Sequence, residues 1–290
     1  MNKHIKITAV VAFFILGLTS CDSDFLGIGD EKNYMYCLEY AEYSYYSSAG
    51  ELMQTIVIDN QYDENKLLSS TMTMTYGHEQ NDIISTIQYK YEYTDLTCCR
   101  LTYINSRLHY EETIEYLDDS YRHIKCRRTK VRNVEDAYTS VTYSDTENIY
   151  DGKCITQSKE QYYVYHNNET TPRGSSVTTY NTNGLHQIGK TQNFDVNGNL
   201  TDTSLIEYTY LNDEYCDYIE YIVKDSKGNE SSRTEYVYDT SNRITENRGY
   251  SDGKLYTQQI FAYDGDNCVV SGFSGDLTME GVARYIKISY

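Results

Sequence analysis

Six cations stand within eleven residues, at Arg122, Lys125, Arg127, Arg128, Lys130 and Arg132, in a chain whose formal net charge is −18. Guanidinium and ammonium groups at this density suit an anion, because the planar guanidinium fork matches a carboxylate or phosphate and lysine adds a point charge. Arg122, Lys125, Arg127, Arg128 and Lys130 are therefore the candidate anion-binding residues, for an acidic glycan or a lipid headgroup. The same cations have a structural alternative in Glu111, Glu112 and Glu115 just before them. With Leu117–Ser120 as a four-residue loop, Glu115 would face Arg122 and Glu112 would face Lys125, each cross-strand pair contributing roughly 0.2–1 kcal/mol.

Other chemistries find less support. His78, His109, His123, His166 and His186 are scattered, without the H-E-x-x-H spacing of a zinc site. Acidic residues recur at turns, but an EF-hand register is missing and a turn Asp has its own structural reason to be there. Gly272-Phe273-Ser274-Gly275 misses the nucleophile-elbow spacing by one position. In so acidic a chain nothing selects two carboxylates for glycoside hydrolysis. No catalytic residue, metal or cofactor is assigned, and a hydrolase is the weakest of three functional readings.

Cys21 is the one residue given a covalent role. Lys3, His4 and Lys6 precede an apolar run from Ile7 to Leu18 and a small-residue end at Thr19 and Ser20. Basic, apolar and small zones in that order make an export signal, too short to span a bilayer as a permanent helix. Leu18-Thr19-Ser20-Cys21 resembles the bacterial lipobox. The resemblance implies that residues 1–20 are removed and that Cys21 Sγ carries a diacylglyceryl group, with two or three chains giving a stable anchor. Residues 21–32, with Asp22, Ser23, Asp24, Gly27 and Gly29, read as a flexible acidic tether. They resemble the surface-export signal of Bacteroidetes lipoproteins. The expected location is the outer membrane, lipid-anchored at the cell surface, with the periplasmic face as the alternative.

Composition narrows what the remaining domain can be. Removing Lys3 and Lys6 with the leader moves the formal charge from −18 to −20, which argues against nucleic acid as a partner. The chain has 34 Tyr, 1 Pro and no Trp, with a mean hydropathy of −0.65. Tyrosine suits a pleated, half-buried surface with its ring packed and its hydroxyl wet. Beyond Cys21, the cysteines are Cys37, Cys98, Cys99, Cys126, Cys154, Cys216 and Cys268, an odd number without a C-x-x-C pair. They read as small core residues with room for one or two disulfides.

The elements that must position all of these are strands. Period-2 alternation runs through Thr71–Tyr76, Ile87–Tyr93, Glu235–Tyr238 and Arg284–Ile288, and roughly 15–18 strands of ordinary length fit the chain, with very little helix. A turn frame recurs between them: Tyr62-Asp63 to Leu67, Phe194-Asp195 to Leu200, Tyr238-Asp239 to Ile244 and Tyr263-Asp264 to Val269. Looser copies are expected at Tyr143–Ile149, Lys224–Asn229 and Tyr250–Leu255. Asp closes such a turn on its own backbone, and Asn or Gly accepts positive φ. The polar stretch 167–176, which holds Pro172, reads as a long loop and the nearest thing to a seam within a single domain, 33–290.

These segments resemble the YD repeats of Rhs-type bacterial proteins, whose frame is Tyr-x-Tyr-Asp-x-x-Gly-Arg-Leu-Thr. Tyr236–Thr245 matches it best, and the chain also resembles Bacteroidetes lipoproteins built of YD-like meanders. That resemblance implies spiralled antiparallel sheet and brings no activity. The expected fold is an all-β, antiparallel, repeat-derived meander, either an open twisted sheet or a closed or partly closed barrel. The expected function is a non-enzymatic, lipid-anchored envelope module for binding or scaffolding, its partner a polysaccharide or another envelope protein. A surface glycan-binding lipoprotein of a nutrient-uptake system is the alternative, motivated by tyrosines that could stack on sugars.

Overall fold

The structure, a computed structural model, describes residues 34–289 except 64–65, 77–82, 118–122, 133–140, 167–168, 214–216 and 242. The leader, Cys21, the tether, His78, Arg122 and Cys216 lie outside the described residues.

Residue alternation becomes eighteen strands, with no helix among the described residues. They are β1 (Tyr34–Tyr46), β2 (Leu52–Asp63), β3 (Lys66–Tyr76), β4 (Ile83–Tyr93), β5 (Thr97–Ile104), β6 (Arg107–Tyr116), β7 (Ile124–Arg132), β8 (Val141–Asp151) and β9 (Cys154–His166). The second half continues with β10 (Glu169–Asn183), β11 (His186–Phe194), β12 (Leu200–Tyr210), β13 (Tyr218–Lys224), β14 (Glu230–Tyr238), β15 (Ile244–Ser251), β16 (Lys254–Asp264), β17 (Asn267–Ser274) and β18 (Leu277–Ser289). Each strand pairs antiparallel with the next. β18 returns to β1, from Tyr34 opposite Ser289 to Tyr46 opposite Thr278. Of the two expected forms the sheet takes the closed one, which leaves no edge strand to aggregate.

Burial identifies the inner face. Ala41, Ile56, Ile58, Ser70 and Val270 have no solvent exposure, and in one closed sheet only the interior can cover them. Around them Tyr43, Tyr45, Met72, Met74, Phe261, Met279 and Tyr285 form a single core contributed by β1–β3 and β15–β18. The ladders then carry this inner face round the barrel. Asn60 stands opposite Ser70, Ser70 opposite Tyr89, Tyr89 opposite Thr102, and Thr102 opposite Tyr110. On β12–β14 the inward rings of Tyr208, Tyr210, Tyr218, Tyr221 and Tyr236 pack at centroid distances of 5.2–6.0 Å. Tyrosine is thus the filling of this barrel.

The repeated frame has a specific geometry. Asp195 Oδ1 accepts the backbone N–H groups of Asn197 and Asn199, and the Asn199 amide donates to Oδ2. Asp225 does the same with Lys227 and Asn229. Asp239 does so with Ser241 and Arg243, whose guanidinium takes the place of the amide. Six residues on, Thr201, Ser231 and Thr245 each donate a hydroxyl to the carbonyl at the bulge, on Asn193, Val223 and Val237. Tyrosines ending strands complete the pattern: Tyr62, Tyr93, Tyr238 and Tyr263 donate to the carbonyls of Leu38, Leu67, Tyr218 and Ile244 on the preceding strand. Their hydroxyls staple neighbouring hairpins, where the composition had suggested a water-facing tip.

Two expectations are corrected. Tyr143–Ile149 is no turn but lies within β8. Its polar residues are there because Asp145 faces outward against Arg128 while Ser144 and Thr146 face the interior, and it has no glycine to supply positive φ. The stretch 167–176 is no long loop either, since β10 begins at Glu169. Pro172 is accommodated where the register slips between Pro172 and Gly174, a bulge that tolerates its missing N–H.

Candidate functional site

The inner face is packed at β15–β3 and again around Cys98, Ile114 and Tyr116 on β5 and β6, and between these clusters it is lined by polar rows. Following one ladder row, Tyr91 stands opposite Arg100, Arg100 opposite Glu112, Glu112 opposite Thr129, Thr129 opposite Ser144, and Ser144 opposite Tyr162. The next row runs Ile114, Arg127, Thr146, Glu160 and Ser176. A third carries Ser158, Thr178 and Thr191, the last two hydroxyls 2.8 Å apart. Where other strands put mainly tyrosine inward, β7–β11 put mainly serine and threonine, with Tyr162 and Tyr180 among them. Smaller side chains on a wall of fixed curvature leave more room in front of it. Tyr110 and Tyr162 remain 37% and 38% exposed although both face inward, so water reaches this wall.

One charged group sits on it. Glu112 is 5% exposed and takes Arg100 Nη2 at 2.6 Å on Oε2. Its Oε1 takes Arg127 Nε at 3.3 Å and the Thr129 hydroxyl at 3.1 Å. The two guanidinium side chains stay 25% and 35% exposed. Arg100 also lies over the Tyr89 ring, 5.6 Å from its centroid. Burial raises the Tyr89 phenol, with Arg100 acting against it. Glu112 is thus a buried carboxylate flanked by two partly exposed guanidiniums. Nearby, the Tyr162 hydroxyl donates to Glu160 at 2.8 Å.

The basic cluster read from the sequence is divided between the two faces of the sheet. Arg127 faces inward. Arg128 faces outward and pairs with Asp145 at 2.8 Å, Lys130 reaches Glu111 at 3.7 Å, and Lys125 reaches Glu115 at 3.0 Å. The register behind these pairs also differs from the expected one. Tyr116 stands opposite Ile124, so the connection is longer than four residues, and Lys125 is the extra residue of a bulge. It therefore meets Glu115, and Glu112 meets Thr129. Arg100, on β5, was outside the sequence reading because its partners come from other strands.

The outer face is hydrophilic on both sides of the barrel. Ion pairs bridge adjacent strands there, Glu207 with Lys224, Arg233 with Glu220, Arg248 with Glu235 and Arg284 with Glu39. An outward apolar strip of Ile260, Val269 and Val282 lies on β16–β18, and Ile149, Ile188 and Val237 are further exposed apolar residues on β8, β11 and β14. A barrel crossing a bilayer needs an apolar band all the way round, and each Lys or Arg at the midplane costs roughly 2–4 kcal/mol. Ion pairs of this kind recur on the described part of the outer face.

Cys37, Cys98, Cys99, Cys126, Cys154 and Cys268 are thiols. Burial raises Cys99 and Cys126, and lifts Cys268 to about 11, so none of these three is primed as a nucleophile. Among the described residues no three His, Cys, Asp or Glu come together as a metal site. His186 meets the Thr209 hydroxyl at 3.3 Å and His123 packs edge-on against Tyr150.

No family model and no curated protein matches the chain. Among solved structures it is similar to a porin-like protein from Bacteroides uniformis, at 9% identity over 86% of this chain and 97% of that one, with a TM-score of 0.46. It is also similar to a DUF1329 family protein from Desulfovibrio piger, at 9% identity over 97% of this chain and 92% of that one, with a TM-score of 0.21.

Proposed function

We propose that this protein is a lipid-anchored, non-enzymatic binding module of the cell envelope, a barrel that stands in water and takes its ligand inside. The observation that carries the proposal is the division of labour between faces. Ion pairs cover the outside, while the inside is tyrosine-packed on one side and a water-reachable wall of hydroxyls and guanidiniums on the other. The lipobox at Cys21 supports an anchor, which such an outer face needs if the protein is to stay on a membrane. A YD-like repeat origin supports a scaffold role, since the repeated residues are spent on turns and hairpin staples.

The glycan-binding reading is favoured by one feature, the hydroxyl-rich wall flanked by the half-exposed rings of Tyr110 and Tyr162. Aromatic rings stack on sugar faces, and serine and threonine exchange hydrogen bonds with sugar hydroxyls. Titrating purified protein with envelope and dietary polysaccharides tests the proposal. Tyr162→Ala and Arg127→Gln should weaken capture while the outward Arg128→Gln leaves it unchanged. Equal loss from inner and outer substitutions would place the ligand elsewhere.

A further inference from the structure

We infer that the rim of the barrel at which β1 begins rests on the membrane, through a collar of aliphatic side chains set against zwitterionic lipid headgroups; this rests on the lipid-anchor reading above. In a closed antiparallel sheet of eighteen strands, every odd-numbered strand starts at the rim of Tyr34 and every even-numbered strand ends there. Exposed aliphatic side chains are spread round that rim. Leu68 lies two residues into β3, Leu96 and Leu185 stand in the β4–β5 and β10–β11 connections, and Leu117 follows β6. Ile149 and Val237 lie within two residues of the ends of β8 and β14. All six are 39–45% exposed. Turn positions are set by backbone shape and wetting, so Leu96, Leu117 and Leu185 gain nothing there from local geometry. At the opposite rim the exposed apolar residues among those described fall on three hairpins, at Met53, at Val196 with Leu200, and at Leu255 with Tyr256.

Three observations select a bilayer as what meets this rim. The chain enters the barrel here: Cys21 is thirteen residues before Tyr34, a separation of at most about 45 Å even at full extension. Lipid on Cys21 therefore keeps this rim, before the other, within reach of the membrane. The collar also recurs from β3 to β14 on successive hairpins, whereas a protein partner needs one contiguous patch. The charge then narrows the lipid. Asp95, Asp151, Asp213 and Asp264 are exposed at the same rim, so anionic headgroups are repelled and zwitterionic ones, which carry an ammonium, are accepted. Single aliphatic side chains between acidic turns make a shallow contact, which orients the barrel while the lipid on Cys21 holds it. The mouth ringed by the turns of Ser47, Asp195 and Asp225 then faces away from the membrane.

The chain has no Trp, so one introduced indole reports its own surroundings. Leu117→Trp, Leu185→Trp and, at the opposite rim, Val196→Trp are each made in the full-length protein expressed with its leader. Each is reconstituted into vesicles of phosphatidylcholine and phosphatidylethanolamine, with and without bromine on the acyl chains near the headgroup. The expected result is blue-shifted emission that the brominated lipid quenches for Leu117→Trp and Leu185→Trp, and neither effect for Val196→Trp. Equal quenching at both rims, quenching at Val196→Trp alone, or no quenching in protein that floats with the vesicles overturns the collar and leaves the anchor standing. Protein that does not float with the vesicles overturns both. Leu117 and Leu185 lie on separate hairpins, so if one of these variants fails to fold the other still decides the matter.

Discussion

Tyr43 and Gly281 face each other across the ladder that closes the barrel, and the ring lies where a side chain at 281 would be. A Cβ at Gly281 would come within 2.7 Å of Tyr43 Cδ1 and 2.3 Å of the Glu42 carbonyl oxygen. Tyr180 and Gly189 repeat the arrangement on β10 and β11, at 2.8 Å. Inward tyrosine opposite inward glycine is how a large flat ring fits a crowded interior. Gly281→Ala should therefore destabilise the barrel by about 1–3 kcal/mol through overpacking. Thermal unfolding checks this, and an unchanged midpoint would mean that the ring moves aside freely.

The tyrosine hydroxyls should separate into two classes. Tyr263 donates to the Ile244 carbonyl at 2.9 Å, so Tyr263→Phe should cost about 1 kcal/mol. The Tyr43 hydroxyl is buried and finds no hydrogen-bond partner among the described residues. Its removal in Tyr43→Phe should be neutral or stabilising by about 1 kcal/mol. Equilibrium denaturation of the two variants should thus give changes of opposite sign, or a loss for the first alone.

Stability should fall away at both ends of the pH scale, for different reasons. Asp195 and Asp225 are held below the usual carboxylate range, mainly by the side chains of Asn199 and Asn229 and then by backbone N–H groups. Burial pushes Asp239 upward, but the Arg243 backbone and guanidinium outweigh it and the net shift is downward. Because the folded pKa lies below the unfolded one, this stabilisation is complete above about pH 4 and is lost as pH falls through the depressed values. Asp225→Asn should flatten that acid limb. In the other direction, burial raises Tyr43, Tyr208, Tyr236 and Tyr285. Their contribution holds below about pH 10 and is lost above it. Tyrosinate absorbance should then show one class titrating normally and another appearing only with unfolding.

Much of this fold was legible in local pattern, and what was not depended on partners distant in sequence. Alternation marked the strands, and the frame from Tyr238 to Thr245 marked a turn in which Asp239 closes on the backbone as expected, while the contacts of the Arg243 and Thr245 side chains were not foreseen. Ser47 closes an equivalent turn with longer bonds, 3.2–3.3 Å, and escaped notice because serine replaces aspartate. Closure could not be read, since it pairs Tyr34 with Ser289. Neither could the face of each cation, because one bulged residue at Lys125 resets which neighbours share a side. The candidate wall was half visible: Arg127 stood in the basic cluster, whereas Arg100 and Glu112 join it only through the β5–β6–β7 ladders.

Glu112 and its outward neighbour Glu111 should respond differently to neutralisation. Glu112→Gln leaves two guanidiniums on the inner wall facing an amide, and should cost about 1–3 kcal/mol. Glu111 meets Lys130 at 3.7 Å on the outer face, and Glu111→Gln should cost less than about 1 kcal/mol. Chemical denaturation of the two variants provides the comparison, and equal effects would contradict the assignment of faces.

In the proposed arrangement the barrel itself stands in water and lipid on Cys21 alone holds it to a membrane. Detergent phase partitioning of the native protein and of Cys21→Ala, each expressed with its leader, measures this directly. The native protein should enter the detergent phase, and Cys21→Ala should move to the aqueous phase as a folded, β-rich species. Retention of folded Cys21→Ala in the detergent phase would contradict the account, because the barrel wall would then be meeting lipid.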